Sequence, residues 1–156
     1  MEQRINAFET SPNALRAMYG IGGYLAKSSI EKHLLNLVYF RVSQINGCAY
    51  CLDMHAKDLR AEGETEQRLY LLDAWREAPI YTEREQAAFV WAEAVTRITN
   101  GQVSDKAYEI ARQQFSEQEL VELTMGVIAI NSYNRINIAF RTTAGSYVPG
   151  MHAIQK

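Results

Sequence analysis

Leu37-Val-Tyr-Phe-Arg41-Val-Ser-Gln-Ile-Asn46-Gly47-Cys48-Ala-Tyr50-Cys51-Leu-Asp-Met-His55 is the stretch on which the fold turns. Its opening run, Leu37 to Val42, is apolar enough to suit a buried strand. The wider segment from Ile30 to Ile45, however, sets Leu34, Leu37, Val38, Arg41 and Ile45 near one helical stripe, and its length favours a helix. Asn46-Gly47 supplies a break, because both residues tolerate left-handed backbone angles. A further helix is expected from about Cys48 to Gly63, the latter a suitable C′ glycine.

The flanks read the same way. On the N-terminal side, Ser11-Pro12 is a helix start, and Gly20, Gly22 and Gly23 are expected to end that helix near Tyr19. On the C-terminal side, Glu64 or Thr65 opens a helix carrying Leu69, Leu72 and Trp75 that stops before Pro79. Thr82-Glu-Arg-Glu85 and Ser116-Glu-Gln-Glu119 are capping boxes, in which hydroxyl and carboxylate satisfy orphan amides at a helix start. The first opens a helix burying Ala88, Phe89, Ala92 and Val95 and ending by Asn100-Gly101. The second opens a long apolar helix from Leu120 to about Phe140. Between them Ser104 caps a short helix, with Tyr108, Ala111 and Phe115 expected to face inward. Residues 145–150 read as a loop. With no convincing strand pair or repeat, the expected fold class is all-α, a multi-helix single domain over 1–156 with its core motif at 36–63.

Composition bounds the function. The chain has 156 residues, 47% apolar and 22% charged, and a formal net charge of −2 with both signs interspersed, as in a globular protein without a nucleic-acid-binding basic block. The longest mainly apolar segment, Leu123 to Ile130, is too short for a bilayer, and Met1 to Asn6 has no apolar signal core, so a cytoplasmic protein is expected. The two cysteines of the chain are separated by two residues. A disulfide closing so small a loop removes little chain entropy, and in a reducing cytosol such a pair is redox-active or metal-binding.

On a helix, Cys48, Cys51 and His55 fall within an arc of roughly 60°. Two thiols and an imidazole then share one face, with Cys48 at a helix start where unpaired amides favour a thiolate. His55, one turn after Cys51, is placed to manage protons. A c-type haem site is excluded by Leu52, which stands where the histidine must follow the second cysteine. A zinc site on the same three residues would take its fourth ligand from His33, His152 or an acidic residue, but the chain shows no second matched ligand pair.

These residues, from Leu37 through Cys-x-x-Cys to His55, resemble the carboxymuconolactone decarboxylase/alkylhydroperoxidase D (AhpD-like) family in its peroxidase-related branch. The likeness extends more loosely through Trp75 and Thr82 to Arg97, and to Asn131-Ser-Tyr-Asn134-Arg135-Ile-Asn137 ahead of Tyr147-Val-Pro-Gly150. The resemblance implies an all-helical fold assembled into homo-oligomers, trimers or hexamers. It also implies reduction of small organic hydroperoxides without metal, flavin or haem. Under it Cys51 is the peroxidatic thiol, Cys48 the resolving thiol and His55 the proton-handling partner, with an external dithiol as reductant. Two positions depart from the pattern. Asn36 stands where the peroxidase relay has a glutamate, and Tyr50 stands where the better-studied alkylhydroperoxidase has a histidine. His33, one turn before Asn36, or Tyr50 with ordered water would have to rebuild the relay. The alternatives are a non-catalytic zinc- or redox-sensing protein using the same cysteines, and a carboxymuconolactone decarboxylase-type enzyme. The latter does not use the cysteine pair as its active centre.

Overall fold

The computed structural model describes residues 2–98 and 101–151, and among them regular structure is entirely helical. The helices are α1 (Ala7–Thr10), α2 (Pro12–Leu25), α3 (Lys32–Asn46), α4 (Ala49–Ala61), α5 (Glu66–Leu71), α6 (Glu83–Thr96), α7 (Asp105–Gln114) and α8 (Glu117–Phe140), with a 3-10 turn at Leu72–Ala74. No described helix is long and apolar enough to cross a membrane.

α3 lies at the centre, packed against α4, α6 and α8. It is buried almost all round, through Leu34, Leu35, Leu37, Val38, Phe40 and Val42, as a helix enclosed by others must be. Where it crosses α8 the helices approach closely, for a β-carbon on Gly126 would stand 3.0 Å from the Leu35 side chain. Arg41 is buried as well, and its charge is met by Glu93 of α6 at 2.9 Å and by Asp73. Glu93 also accepts from the Trp75 indole at 2.9 Å and from Arg76 at 2.8 Å. This network ties the 3-10 turn and α6 to the back of α3.

The sequence signals of termination and capping hold where they are local. Gly47 takes φ 68° and closes α3, and both capping boxes form. Three expectations are corrected. The first helix does not end near Tyr19 but runs through its glycines to Leu25. Each glycine weakens a helix by about 1 kcal/mol. Tertiary packing outweighs this here: Leu25 is buried in the core and the Tyr24 hydroxyl donates to Glu122 of α8 at 2.9 Å. The segment after Thr65 is a short α5 and a 3-10 turn rather than one helix, with Glu77 and Ala78 amides closing tight turns on Ala74 and Trp75. Tyr108 is 47% exposed rather than inward, its ring lying against that of Trp91 at 6.2 Å. The helix expected to end by Asn100-Gly101 ends at Thr96, and Asn100 lies outside the described residues.

Residues 141–151 run back along α4. Lys57 donates to the Gly145 and Tyr147 carbonyls, both at 3.0 Å, and the Tyr147 hydroxyl donates to Asp58 at 2.8 Å. His152 lies outside the described residues.

Candidate functional site

The site is built where α3 stops and α4 begins. Gly47 turns the chain in a left-handed conformation that costs other residues energy, and the Cys48 amide reaches back to the Ser43 carbonyl at 3.1 Å. Cys48 is therefore the N-cap of α4, with extended backbone, and Cys51 follows within the first turn. Both are free thiols, 1% and 0% exposed, and their sulfurs are 2.8 Å apart. That distance exceeds a disulfide bond of about 2.05 Å and sets the two thiols in direct contact.

Proximity splits the two acidities. The Cys48 thiol is brought down to about 7, chiefly by its hydrogen-bonding contact with Cys51 and with help from the Cys51 and Tyr50 amides and Asn134, against the opposing effect of burial. Cys51 is driven upward, first by that same contact and then by burial. The thiolate of the resting pair therefore resides on Cys48, at the positive end of α4.

His55 is one turn beyond Cys51 and 7% exposed. Its Nδ1 lies 2.7 Å from Oδ1 of Asn36 on α3. An amide oxygen only accepts, so this contact puts the proton on Nδ1 and leaves Nε2 as a bare acceptor. Burial pulls the imidazole down to about 3, so it is neutral at physiological pH. Asn36 thus orients the ring from α3 without supplying a titrating group. His33 does not rebuild the relay: it sits at the protein surface between Glu62 and Glu64, 3.7 and 3.1 Å away.

α8 supplies a third side of the site. Asn137 Nδ2 donates to Cys51 Sγ at 3.4 Å, and Asn134 donates to Ser43 Oγ at 3.1 Å while accepting from Asn46 at 2.8 Å. Asn46 also donates to Asn131 at 2.9 Å. Ser43 and Asn46 therefore fasten the turn before Cys48 to α8, and Gln44 instead accepts from Arg41 at 3.1 Å. Two buried polar side-chain atoms among the described residues have no partner, His55 Nε2 and Asn137 Oδ1. Both are acceptors, and both belong to residues that line one cavity with Cys51.

That cavity has a volume of about 800 Å³ and is lined by residues of α1, α2, α3, α4 and α8. Tyr39, Met54, Ile130 and Tyr133 contribute to its wall, and Tyr39 packs on His55 with ring centroids 5.3 Å apart. Cys51 lines it; Cys48 does not. Sequence reasoning brought together Cys48, Cys51 and His55, and the structure does the same. It gave no definite role to Asn137, which marks the chain only as a polar residue on an apolar helix, and it treated Gly20, Gly22 and Gly23 as a helix end rather than a cavity wall. Among the described residues, no group of three or more His, Cys, Asp or Glu side chains is placed to hold a metal ion.

Comparison with known proteins agrees with this architecture. Residues 12–94 match the model of the carboxymuconolactone decarboxylase family. An uncharacterised protein, YdfG of Bacillus subtilis (strain 168), is 41% identical over 94% of this chain and 99% of its own length. A protein of unknown function from Agrobacterium tumefaciens, provisionally named an antioxidant defence protein AhpD, superposes with a TM-score of 0.89 at 40% identity, over 94% of this chain and all of that one. An alkylhydroperoxidase AhpD core protein from Ralstonia eutropha JMP134 shares the fold with a TM-score of 0.78 at 16% identity, over 90% of this chain and 75% of its own.

Proposed function

Because the chain belongs to the carboxymuconolactone decarboxylase family and is AhpD-like in fold, we propose that it is a thiol-dependent peroxidase that reduces organic hydroperoxides through Cys51 and Cys48. The observation that carries this proposal is the convergence at one cavity of a thiol paired at 2.8 Å with a second thiol and an imidazole with a bare Nε2.

Cys51 is the attacking thiol because it lines the cavity, and Cys48 resolves because it lies behind it and holds its thiolate near neutral pH. The Cys51 thiol passes its proton to the Cys48 thiolate across their 2.8 Å contact, and the Cys51 thiolate attacks the terminal oxygen of the hydroperoxide, whose O–H donates to His55 Nε2. The O–O bond breaks, its electron pair leaves on the alkoxide, and the alkoxide takes the proton from the Cys48 thiol and departs as alcohol, which restores the Cys48 thiolate. Cys51 is now a sulfenic acid. The Cys48 thiolate attacks its sulfur, hydroxide leaves and is protonated to water, and the disulfide forms. An external dithiol reduces that disulfide by exchange and is itself oxidised. We place this cycle in a reducing, cytoplasmic setting and in a homo-oligomer, as the resemblance implies.

The test is a thiol count before and after one equivalent of cumene hydroperoxide, with metal content assayed on the same sample. Loss of both thiols to a reversible intramolecular disulfide, with cumyl alcohol produced, is expected. Stoichiometric zinc with peroxide-inert thiols would overturn the proposal. Cys51→Ser is expected to abolish peroxide consumption, while Cys48→Ser leaves a Cys51 sulfenic acid trapped by dimedone. The opposite pattern reverses the two roles.

A further inference from the structure

The cavity is larger than a small alkyl hydroperoxide requires. At about 800 Å³ it falls in the upper part of the range, about 300–1,000 Å³, in which proteins enclose whole metabolite-sized ligands. Its wall is aromatic and apolar, with Phe8, Tyr19, Tyr39, Met54 and Tyr133 among the lining residues. Room is left along α2, where Gly20 and Gly22 line the space and a β-carbon on either would meet nothing within 4 Å. Among the described residues one formally charged side chain belongs to the wall, Arg16. It is exposed and has no ion-pair or hydrogen-bond partner among the described residues. Arg16, Gly20 and Gly23 are spaced i, i+4 and i+7, so a single face of α2 carries a guanidinium at one end and bare backbone over roughly the next 10 Å. Among the described residues no acidic side chain lines the cavity to oppose that charge.

We propose that the cavity takes an amphiphilic hydroperoxide, with a long apolar body along the α2 glycines and a free carboxylate held by Arg16. This substrate class rests on the peroxidase function proposed above. A guanidinium offers paired donors to a carboxylate, whereas an ester or a bare alkyl peroxide gives it nothing to bind. Each methylene withdrawn from water strengthens binding by up to about fourfold, so chain length and charge are both read.

The experiment compares kcat/KM for oxidation of the reduced protein by the free-acid hydroperoxide of an eighteen-carbon dienoic acid, its methyl ester and tert-butyl hydroperoxide. The acid is expected to exceed the ester by roughly threefold to fivefold, the range for a partly solvated ion pair. It is expected to exceed tert-butyl hydroperoxide by more than about tenfold. In Arg16→Gln the ratio of acid to ester is expected to fall to about one. In Gly22→Leu, which introduces a better helix former into open space, the ratio of the long-chain acid to tert-butyl hydroperoxide is expected to fall as the cavity fills. Equal rates for acid and tert-butyl hydroperoxide would overturn the proposal, as would an Arg16→Gln variant whose acid-to-ester ratio is unchanged. If no hydroperoxide oxidises the thiols, the peroxidase function fails by itself. Calorimetric titration with dodecanoate then decides the ligand class: Arg16-dependent binding upholds it, and no binding overturns it.

Discussion

Oδ1 of Asn36 lies 2.7 Å from Nδ1 of His55, so an uncharged side chain of α3 fixes the tautomer of the imidazole on α4. A carboxylate at that position would do the same and would also stabilise the imidazolium. The amide gives orientation without that stabilisation, and burial leaves His55 at about 3.

Replacing Asn36 separates those two effects. In Asn36→Asp a carboxylate beside the ring is expected to raise the His55 pKa by about one to three units, read from the imidazole proton shifts by NMR. Oxidation of the thiols by cumene hydroperoxide is expected to quicken by about tenfold or more, since the base is then better matched to neutral pH. An unchanged rate in the presence of a raised pKa would remove His55 from the proton path. In Asn36→Leu the ring loses its partner, and the buried unpaired Nδ1 is expected to cost about 1–3 kcal/mol in urea denaturation.

His55 also ties stability to pH. Its folded pKa of about 3 lies below the ordinary 6.5, so between those values the unfolded chain binds a proton that the folded chain refuses. The folded state is favoured fully above about 6.5 and loses that advantage as pH falls toward 3, by about 1.4 kcal/mol per unit. His55→Gln is expected to flatten this part of the profile when its unfolding free energy is compared with the parent's from pH 6.5 to 4. Parallel profiles would mean that His55 is not the group responsible.

The parts of this molecule legible in its sequence are those set by near neighbours. The Thr82–Glu85 and Ser116–Glu119 boxes close over three residues, and Gly47 needs only its own missing side chain to take φ 68°. The thiol pair and His55 belong to one helix, and helical spacing alone put them on one face. What was hidden depends on residues far apart. The glycines of α2 read as a break, and the helix continues past them because Leu25 is buried in the core and Tyr24 reaches Glu122 on α8. Asn137 meets Cys51 across the gap between α8 and α4, and no local pattern marks it. Asn36 read as a missing acid; the packing of α3 on α4 turns it into the partner of His55.

Glu93 is the residue on which the back of α3 depends. It is buried and accepts from Arg41, Trp75 and Arg76, and Arg41 is itself buried. Glu93→Ala strands the Arg41 guanidinium away from water and is expected to cost about 3–5 kcal/mol, measured as a lowered urea midpoint at unchanged slope. Glu93→Gln keeps an acceptor for the Trp75 indole and is expected to cost less. A loss below about 1 kcal/mol in Glu93→Ala would show that Asp73, Arg41's other acidic partner, suffices.

The thiols themselves offer the most direct measurement. Because the two sulfurs are in contact at 2.8 Å and their acidities are split, the reduced pair is expected to release its first proton near pH 7 and its second far above the ordinary thiol range. Ultraviolet thiolate absorbance then rises by one equivalent, not two, through neutral pH. The leading cause of the Cys48 shift is its hydrogen-bonding contact with Cys51, so Cys51→Ala is expected to move the remaining midpoint upward by about one unit or more. Asn137→Ala removes a donor to Cys51 alone, and the first midpoint is expected to stay near 7 while oxidation by peroxide slows severalfold. A Cys51→Ala midpoint still near 7 would instead assign the acidity of Cys48 to the amides at the start of α4 and to Asn134. Cys51 would then attack the peroxide without setting the acidity of the thiol that resolves it.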